Sequence, residues 1–227
     1  MRDITVKNRE LISILSPFVS FLQRDIENFQ RCLDLHGSEQ SRNRHWWTGE
    51  KYLKELQNDW RNHEGFPEIL YGYDLKTRPN DHLFSNKATV QERTDLRAEL
   101  NSYNNALMDW LACKNNALIA YYPPGGFISW HNNANASAYN IIFTWSETGE
   151  GCFQYVDPTT KEIVTMQDKK GWQCKAGYFG SHNEEDKIFW HTAKTDCWRI
   201  TLSFMFNVNK LSEEFREDLL EEIAIEE

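Results

Sequence analysis

Apolar side chains recur at three- and four-residue steps along the first half of the chain. Phe18, Phe21, Leu22, Ile26, Phe29 and Leu33 form one stripe, which is the period of an amphipathic helix with a core face. Ser16 and Pro17 read as its N-cap and first-turn proline, and Gly37 as its end. A second helix is predicted over 49–62, with Tyr52, Leu53, Leu56 and Trp60 on one side. Between 63 and 88 the pattern breaks into loop with short extended pieces. Thr89 to Glu92 has the form of a capping box. Leu96, Leu100, Tyr103, Leu107, Trp110 and Leu111 then step along a long helix ending near Asn115 and Asn116.

From residue 117 the period changes. ALIAYY, GFISWH, AYNIIFTW, CFQYV, EIVT, KIFWH and WRITLSFMF are short, rich in aromatic and β-branched residues, and separated by Gly, Pro, Asn and Asp. Many short strands with turn punctuation predict a sandwich or barrel. Leu211, Phe215, Leu219, Leu220 and Ile223 then mark a closing amphipathic helix. The expectation is one α+β domain: a helical support region over 1–116, a β-rich core over 117–207 and an acidic C-terminal helix over 208–227.

Composition narrows the function classes. Of 227 residues, 40% are hydrophobic and 14% aromatic, which supplies a packed core and excludes a disordered chain. The net charge of −9 disfavours duplex DNA as a partner, because a DNA binder carries a basic face. Much of that charge is local, since 213–227 hold eight Asp/Glu against one Arg. Five scattered cysteines without a CxxC spacing, and no signal-like apolar opening, point to reduced thiols and a cytoplasmic protein. No run reaches the ~18 apolar residues of a membrane span.

The candidate chemistry lies in 121–206. His131 ends the run YYPPGGFISWH, and His191 follows 60 residues later in KIFWH. On an extended strand His131 and Asn133 would share a face, as would Phe189 and His191. Two imidazoles facing one lumen suit Fe(II), Zn(II), Cu(II) or Ni(II). Arg199, eight residues after His191, shares a face with Thr201 and Ser203, while Ile200, Leu202 and Phe204 take the other. A polar stripe on an otherwise apolar strand predicts a ligand-filled interior, and an arginine fork pairs bidentately with a carboxylate. Alone, such an arginine is more simply a structural one paired to an internal acid. Tyr122, opening YPPGG, could donate to the same carboxylate.

Those motifs together resemble the Fe(II)/2-oxoglutarate-dependent dioxygenases, particularly the prolyl-hydroxylase-like branch. The matching parts are Tyr122-Pro-Pro-Gly-Gly, His131-Asn-Asn133, the strand opening at Asn140, Gly149-Glu-Gly151, His191 and Arg199. The resemblance implies a double-stranded β-helix (jelly roll) carrying iron at one end. It further implies an oxidoreductase, with His131, Asn133 and His191 around the metal. Arg199, Tyr122, Asn140 and Thr201 would lie around the co-substrate 2-oxoglutarate, and a small molecule or peptide would be the substrate. One departure matters: the family's third ligand is Asp or Glu, and here it is Asn133. Four readings stay open. Asn133 ligates directly or through water; Glu147 or Asp157 reaches the metal instead; the chain is a weakened or inactive binding protein; or the Asn is a disabling replacement. Halogenating members carry Ala or Gly there, and Asn is bulkier.

Other features rank lower. His182 is a rival distal ligand in a polar, loop-like segment. Arg42-Asn-Arg44-His45-Trp46-Trp47 could stack bases or a peptide, or simply pack a helix. No phosphate-cradling glycine motif and no identifiable serine triad occurs.

Overall fold

The computed structural model describes residues 1–36, 43–74, 94–206 and 212–226. Gly37, Arg42, the 89–92 segment and Leu211 lie outside them, as do the side chains of Phe29, Leu33 and Leu96.

The first helix, α1, runs from Arg9 to His36, starting eight residues earlier than the Ser16 cap predicts. Its apolar stripe continues backwards through Leu15 and Leu11, both fully buried. Asn8 caps it instead, with the Leu11 N–H donating to Asn8 Oδ1 at 2.9 Å. Pro17 therefore sits inside the helix, where it leaves Ser13 O without its helical donor. Helices α2 (Arg44–Trp47) and α3 (Glu50–Asn58) follow, with Tyr52, Leu53 and Leu56 buried as expected. Helix α4 (Thr94–Trp110) stops five residues short of Asn115. There Ala112 turns left-handed at φ 50° and the Cys113 N–H closes onto Met108 O at 2.9 Å.

Among the described residues eleven strands precede, separate and follow the helices: β1 (Arg2–Thr5), β2 (Leu70–Tyr71), β3 (Tyr73–Asp74), β4 (Asn115–Tyr122), β5 (Phe127–His131), β6 (Ala138–Ser146), β7 (Gly151–Val156), β8 (Ile163–Gln167), β9 (Gly171–Phe179), β10 (His191–Thr195) and β11 (Arg199–Phe206). They build a six-stranded sheet in the order β1-β9-β6-β11-β4-β3 and a five-stranded sheet in the order β2-β5-β10-β7-β8. Every ladder is antiparallel. The chain crosses between the sheets from β4 to β5, β5 to β6, β6 to β7, β8 to β9, β9 to β10 and β10 to β11. That crossing pattern is a double-stranded β-helix, so the fold is an α+β jelly roll with helices packed on it. The front segment contributes β1, β2 and β3 as well as helices.

The main core lies under the helices, against residues of both sheets, and its largest part covers the outer face of the six-stranded sheet. Phe18 and Phe21 of α1 meet Tyr121 and Ile200, Leu202 and Phe204 there, and Tyr121 OH donates to Phe18 O at 2.9 Å. A second, smaller cluster lies between the sheets and includes Ile128, Ile142, Phe153, Phe179 and Phe189. The last helix, α5 (Glu213–Ala224), buries Leu219, Leu220 and Ile223, whereas Phe215 is 38% exposed. It docks on the chain start through Lys7 N–H to Ile223 O (3.0 Å) and Arg2 to Glu217 (2.5 Å). Among the described residues no helix is long and apolar enough to cross a membrane.

Candidate metal and carboxylate site

His131 is the last residue of β5 and His191 the first of β10, and the two are paired in register. The sequence reading places His191 at the end of a strand over 187–191. In the structure Glu185–Lys187 form a 3-10 turn and His191 opens its strand; before it, Ile188 makes only an isolated bridge to Gly180, outside the named strands. β5 is bulged: three of its steps, Ile128 to His131, oppose two of β10, Ala193 to His191. The extra residue lets both Ile128 and His131 face the space between the sheets, where both line the same cavity.

The imidazoles are buried at 5% and 6% exposure, with ring centroids 4.0 Å apart. His131 Nδ1 lies 2.8 Å from Ser129 O and His191 Nδ1 lies 3.0 Å from Phe189 O. A carbonyl only accepts, so each Nδ1 carries the hydrogen and each Nε2 keeps its lone pair. That is the tautomer a metal-binding imidazole needs. Burial, reinforced by His191, pushes His131 well below the ordinary histidine range, and burial lowers His191 to about 4. Both rings are therefore neutral donors.

Asn133 reaches the same cavity by another route. β5 ends at His131, and Asn133 sits in a left-handed turn at φ 64°, closed by the Ala136 N–H donating to Asn133 O at 3.1 Å. Asn tolerates that backbone better than most residues. The expected strand geometry is thus replaced by a turn, and Asn133 still lines the cavity beside both histidines. The rival acids do not. Glu147 accepts from the Trp198 N–H, Asp157 accepts from the N–H groups of Thr159 and Thr160, and neither lines the cavity. Among the described residues no cluster of three His, Cys, Asp or Glu could hold a metal. Two imidazoles and one amide fit a divalent ion as neutral donors, leaving its charge for an anionic ligand to meet.

The cavity, about 230 Å³, runs from these residues and the rim of Phe66 and Pro67 to Arg199. Arg199 is 1% exposed. Its Nε donates to Asp168 Oδ2 at 2.7 Å, Nη1 to Thr201 Oγ1 at 2.5 Å, and Nη2 to Thr144 Oγ1 at 3.4 Å. The guanidinium lies 5.7 Å from the centre of the Tyr122 ring, its register partner on β4. Arg199 is thus both lining and internally paired. Asp168 also accepts from Lys175 Nζ at 3.1 Å. Burial raises the Asp168 carboxyl, but the Arg199 and Lys175 charges outweigh it and hold it below the ordinary range.

The sequence reading missed Asp168 and Lys175. Asp168 follows β8 in a turn, where Asp is common for local reasons. Lys175 lies on β9, also missed, although its alternation is plain in retrospect: Cys174 and Ala176 join the helix-side core and Gln173 and Lys175 are buried on the other face. Asn140 is buried but does not line the cavity. Its Nδ2 donates to Ala138 O at 3.1 Å and its Oδ1 has no partner among the described residues. His182 packs edge-on against Trp60 outside the cavity. Arg44 binds Thr195 O at 3.0 Å and Asp196 at 2.5 Å, fastening α2 to the β10–β11 turn.

No protein-family profile and no curated protein matches the sequence. Among solved structures, a prolyl-4-hydroxylase from Pseudomonas putida is 14% identical, with 68% of this chain and 83% of that chain covered and a TM-score of 0.33. A viral collagen prolyl hydroxylase from Paramecium bursaria Chlorella virus-1, solved as a 2OG complex, is 12% identical over 70% of this chain and 91% of that chain, with a TM-score of 0.30. A cupin domain from Bordetella pertussis is 16% identical over 42% and 85%, with a TM-score of 0.27. The assignment of the fold rests on the strand order rather than on these likenesses.

Proposed function

We propose that the chain is a non-haem Fe(II)- and 2-oxoglutarate-dependent oxygenase, acting as a hydroxylase on a small molecule or peptide. The observation that carries this reading is one cavity with two neutral, lone-pair-bearing imidazoles at one end and a buried arginine at the other. Bound there, iron and 2-oxoglutarate supply the oxidising chemistry: dioxygen is consumed, one oxygen atom goes to the substrate, and the co-substrate leaves as succinate and CO2. His131 and His191 hold the ion through Nε2, with their rings fixed by Ser129 O and Phe189 O. Arg199, with Thr201 and Tyr122 beside it, receives the distal carboxylate. Phe153, Phe179 and Phe189 surround the His191 ring and keep bulk water from it. Among the described residues Cys113, Cys152, Cys174 and Cys197 are buried free thiols, which supports a reducing, cytoplasmic setting.

A second reading is favoured by Asn133 alone: a weakened or inactive binding barrel that holds metal or carboxylate without turnover. Anaerobic titration of Fe(II) and 2-oxoglutarate into metal-free protein separates the two, with the visible charge-transfer band of chelated co-substrate as signal and succinate release under air as the second readout. A band with succinate supports the oxygenase. A band without succinate for any tested substrate supports the binder. No band, in this protein and in Asn133→Asp, overturns the oxygenase and leaves the binding barrel.

A further inference from the structure

Three buried charges stand together at the closed end of the cavity. Arg199 is 1% exposed, Lys175 0% and Asp168 5%. Asp168 spends one carboxylate oxygen on each cation, Oδ2 on Arg199 Nε and Oδ1 on Lys175 Nζ. Lys175 also donates to Gln173 Oε1 at 3.1 Å. Two cations share one anion, so with Lys175 protonated the cluster carries one positive charge in a low-dielectric interior, where an uncompensated charge is costly; burial and the Arg199 charge accordingly lower Lys175, against the pull of Asp168. The neighbouring Cys152 thiol does not compensate, because burial pushes it up and keeps it protonated. The space is also tailored to the carboxylate: a Cβ on Gly151 would lie 2.6 Å from Asp168 Oδ2.

We propose that Lys175 and Asp168 form the charge-setting layer behind Arg199, with Asp168 holding the guanidinium by its Nε edge and Lys175 leaving the cluster one anion short, so that the site selects a small carboxylate. This rests on the reading in which Arg199 meets a ligand carboxylate. Lys175 acts without touching the ligand; it does not line the cavity. The apolar lining of the cavity, including Leu118, Ile142 and Ala193, fits a carboxylate on a short hydrocarbon stem better than a phosphate.

The test is a charge cycle read by binding. Calorimetric titration of 2-oxoglutarate, glutarate and succinate is made on the Mn(II)-loaded wild type, Lys175→Met (cluster neutral) and Asp168→Asn/Lys175→Met (one positive charge again). Lys175→Met is expected to weaken carboxylate binding by about tenfold or more, and the double variant to recover most of that loss. A purely structural role predicts that the double variant binds no better than the single one, and that result overturns the proposal, as does a Lys175→Met of wild-type affinity. Should Lys175→Met not fold, Lys175→Gln, which keeps a hydrogen-bond donor towards Asp168 and removes the charge, takes its place and must weaken carboxylate binding likewise; in the wild type, carboxylates must raise the melting temperature while their neutral diesters and inorganic phosphate must not. Binding of glutarate or succinate but not 2-oxoglutarate, with the same variant pattern, keeps the charge layer and removes the 2-oxoglutarate reading. Binding of no carboxylate by the wild type removes both.

Discussion

Asn133 sets the charge at the metal end, and its backbone makes it a clean position to test. At φ 64° both Asn and Asp are tolerated, so Asn133→Asp changes chemistry and not conformation. Adding a carboxylate beside two neutral imidazoles is expected to tighten Mn(II) binding about tenfold or more, by the greater strength of ionic donors. An unchanged Mn(II) affinity in calorimetry would show that position 133 does not reach the ion. The histidines carry a pH signature of their own. His191 falls from an ordinary value of about 6.5 in the unfolded chain to about 4 in the fold, and His131 is lowered too. Between those values the unfolded chain binds more protons, so stability is complete above pH 6.5 and is lost as the pH falls towards 4. His191 alone accounts for about 3 kcal/mol of that loss. Urea melts of metal-free wild type and His191→Gln between pH 7 and 4.5 should diverge in slope; parallel curves would contradict the buried neutral ring. His131, His191, Asn133 and Arg199 were legible in the sequence because each sits in a motif whose residue types already restrict the chemistry. Asp168 was not, since an Asp in a turn looks the same whether it faces solvent or a buried arginine.

At the scale of elements, the jelly roll inverts the usual polarity of a β core, and this explains what the sequence did and did not disclose. β11 alternates Ile200, Leu202 and Phe204 under the helices with Arg199, Thr201 and Ser203 towards the cavity; its apolar half made it easy to find. β9 follows the same rule, but its inward residues Gln173, Lys175 and Gly177 dilute the β signal in the sequence. β1, β2 and β3 were invisible because four or two residues carry no periodicity. The β5 bulge has no sequence signature either, although it brings His131 round to the cavity. Glycine makes a sharp prediction at this scale. Gly151 opens β7 against Asp168, which two cations hold in place. Gly151→Ala should therefore cost about 1–3 kcal/mol by overpacking and weaken carboxylate binding. Gly171 opens β9 at φ 86°, and a Cβ added there would meet nothing within 4 Å; Gly171→Ala should cost about 1–2 kcal/mol through its left-handed backbone and leave binding untouched. Denaturant melts paired with calorimetry read both, and equal binding losses would refute the distinction.

On the scale of the whole molecule, the helices and the sheet face they cover supply a core that does not depend on the cavity, which frees the space between the sheets for ligand. The acidic tail has a structural share in this, since Glu217 and Glu222 of α5 bind Arg2 and Asn8 near the chain start. The cavity's two ends are each unfinished in charge: neutral donors at one, which would leave a bound ion's charge unmet, and at the other two cations that share one carboxylate. A single dianion that chelates the ion and reaches Arg199 meets both, so metal and co-substrate should bind cooperatively, each raising the other's affinity by the same factor. The melting temperature reports this. At about 100 times its Kd a ligand adds about 2.7 kcal/mol, and for a chain of this size that is roughly 5–10 °C. Mn(II) alone and 2-oxoglutarate alone should each give small shifts, and the two together more than their sum. In Asn133→Asp the metal end is already supplied with a charge, so Mn(II) alone should shift the melt further and the excess from adding 2-oxoglutarate should shrink. Strictly additive shifts in the wild type would mean that the two ends do not share a ligand, and the oxygenase reading would lose its central premise while the fold stood unchanged.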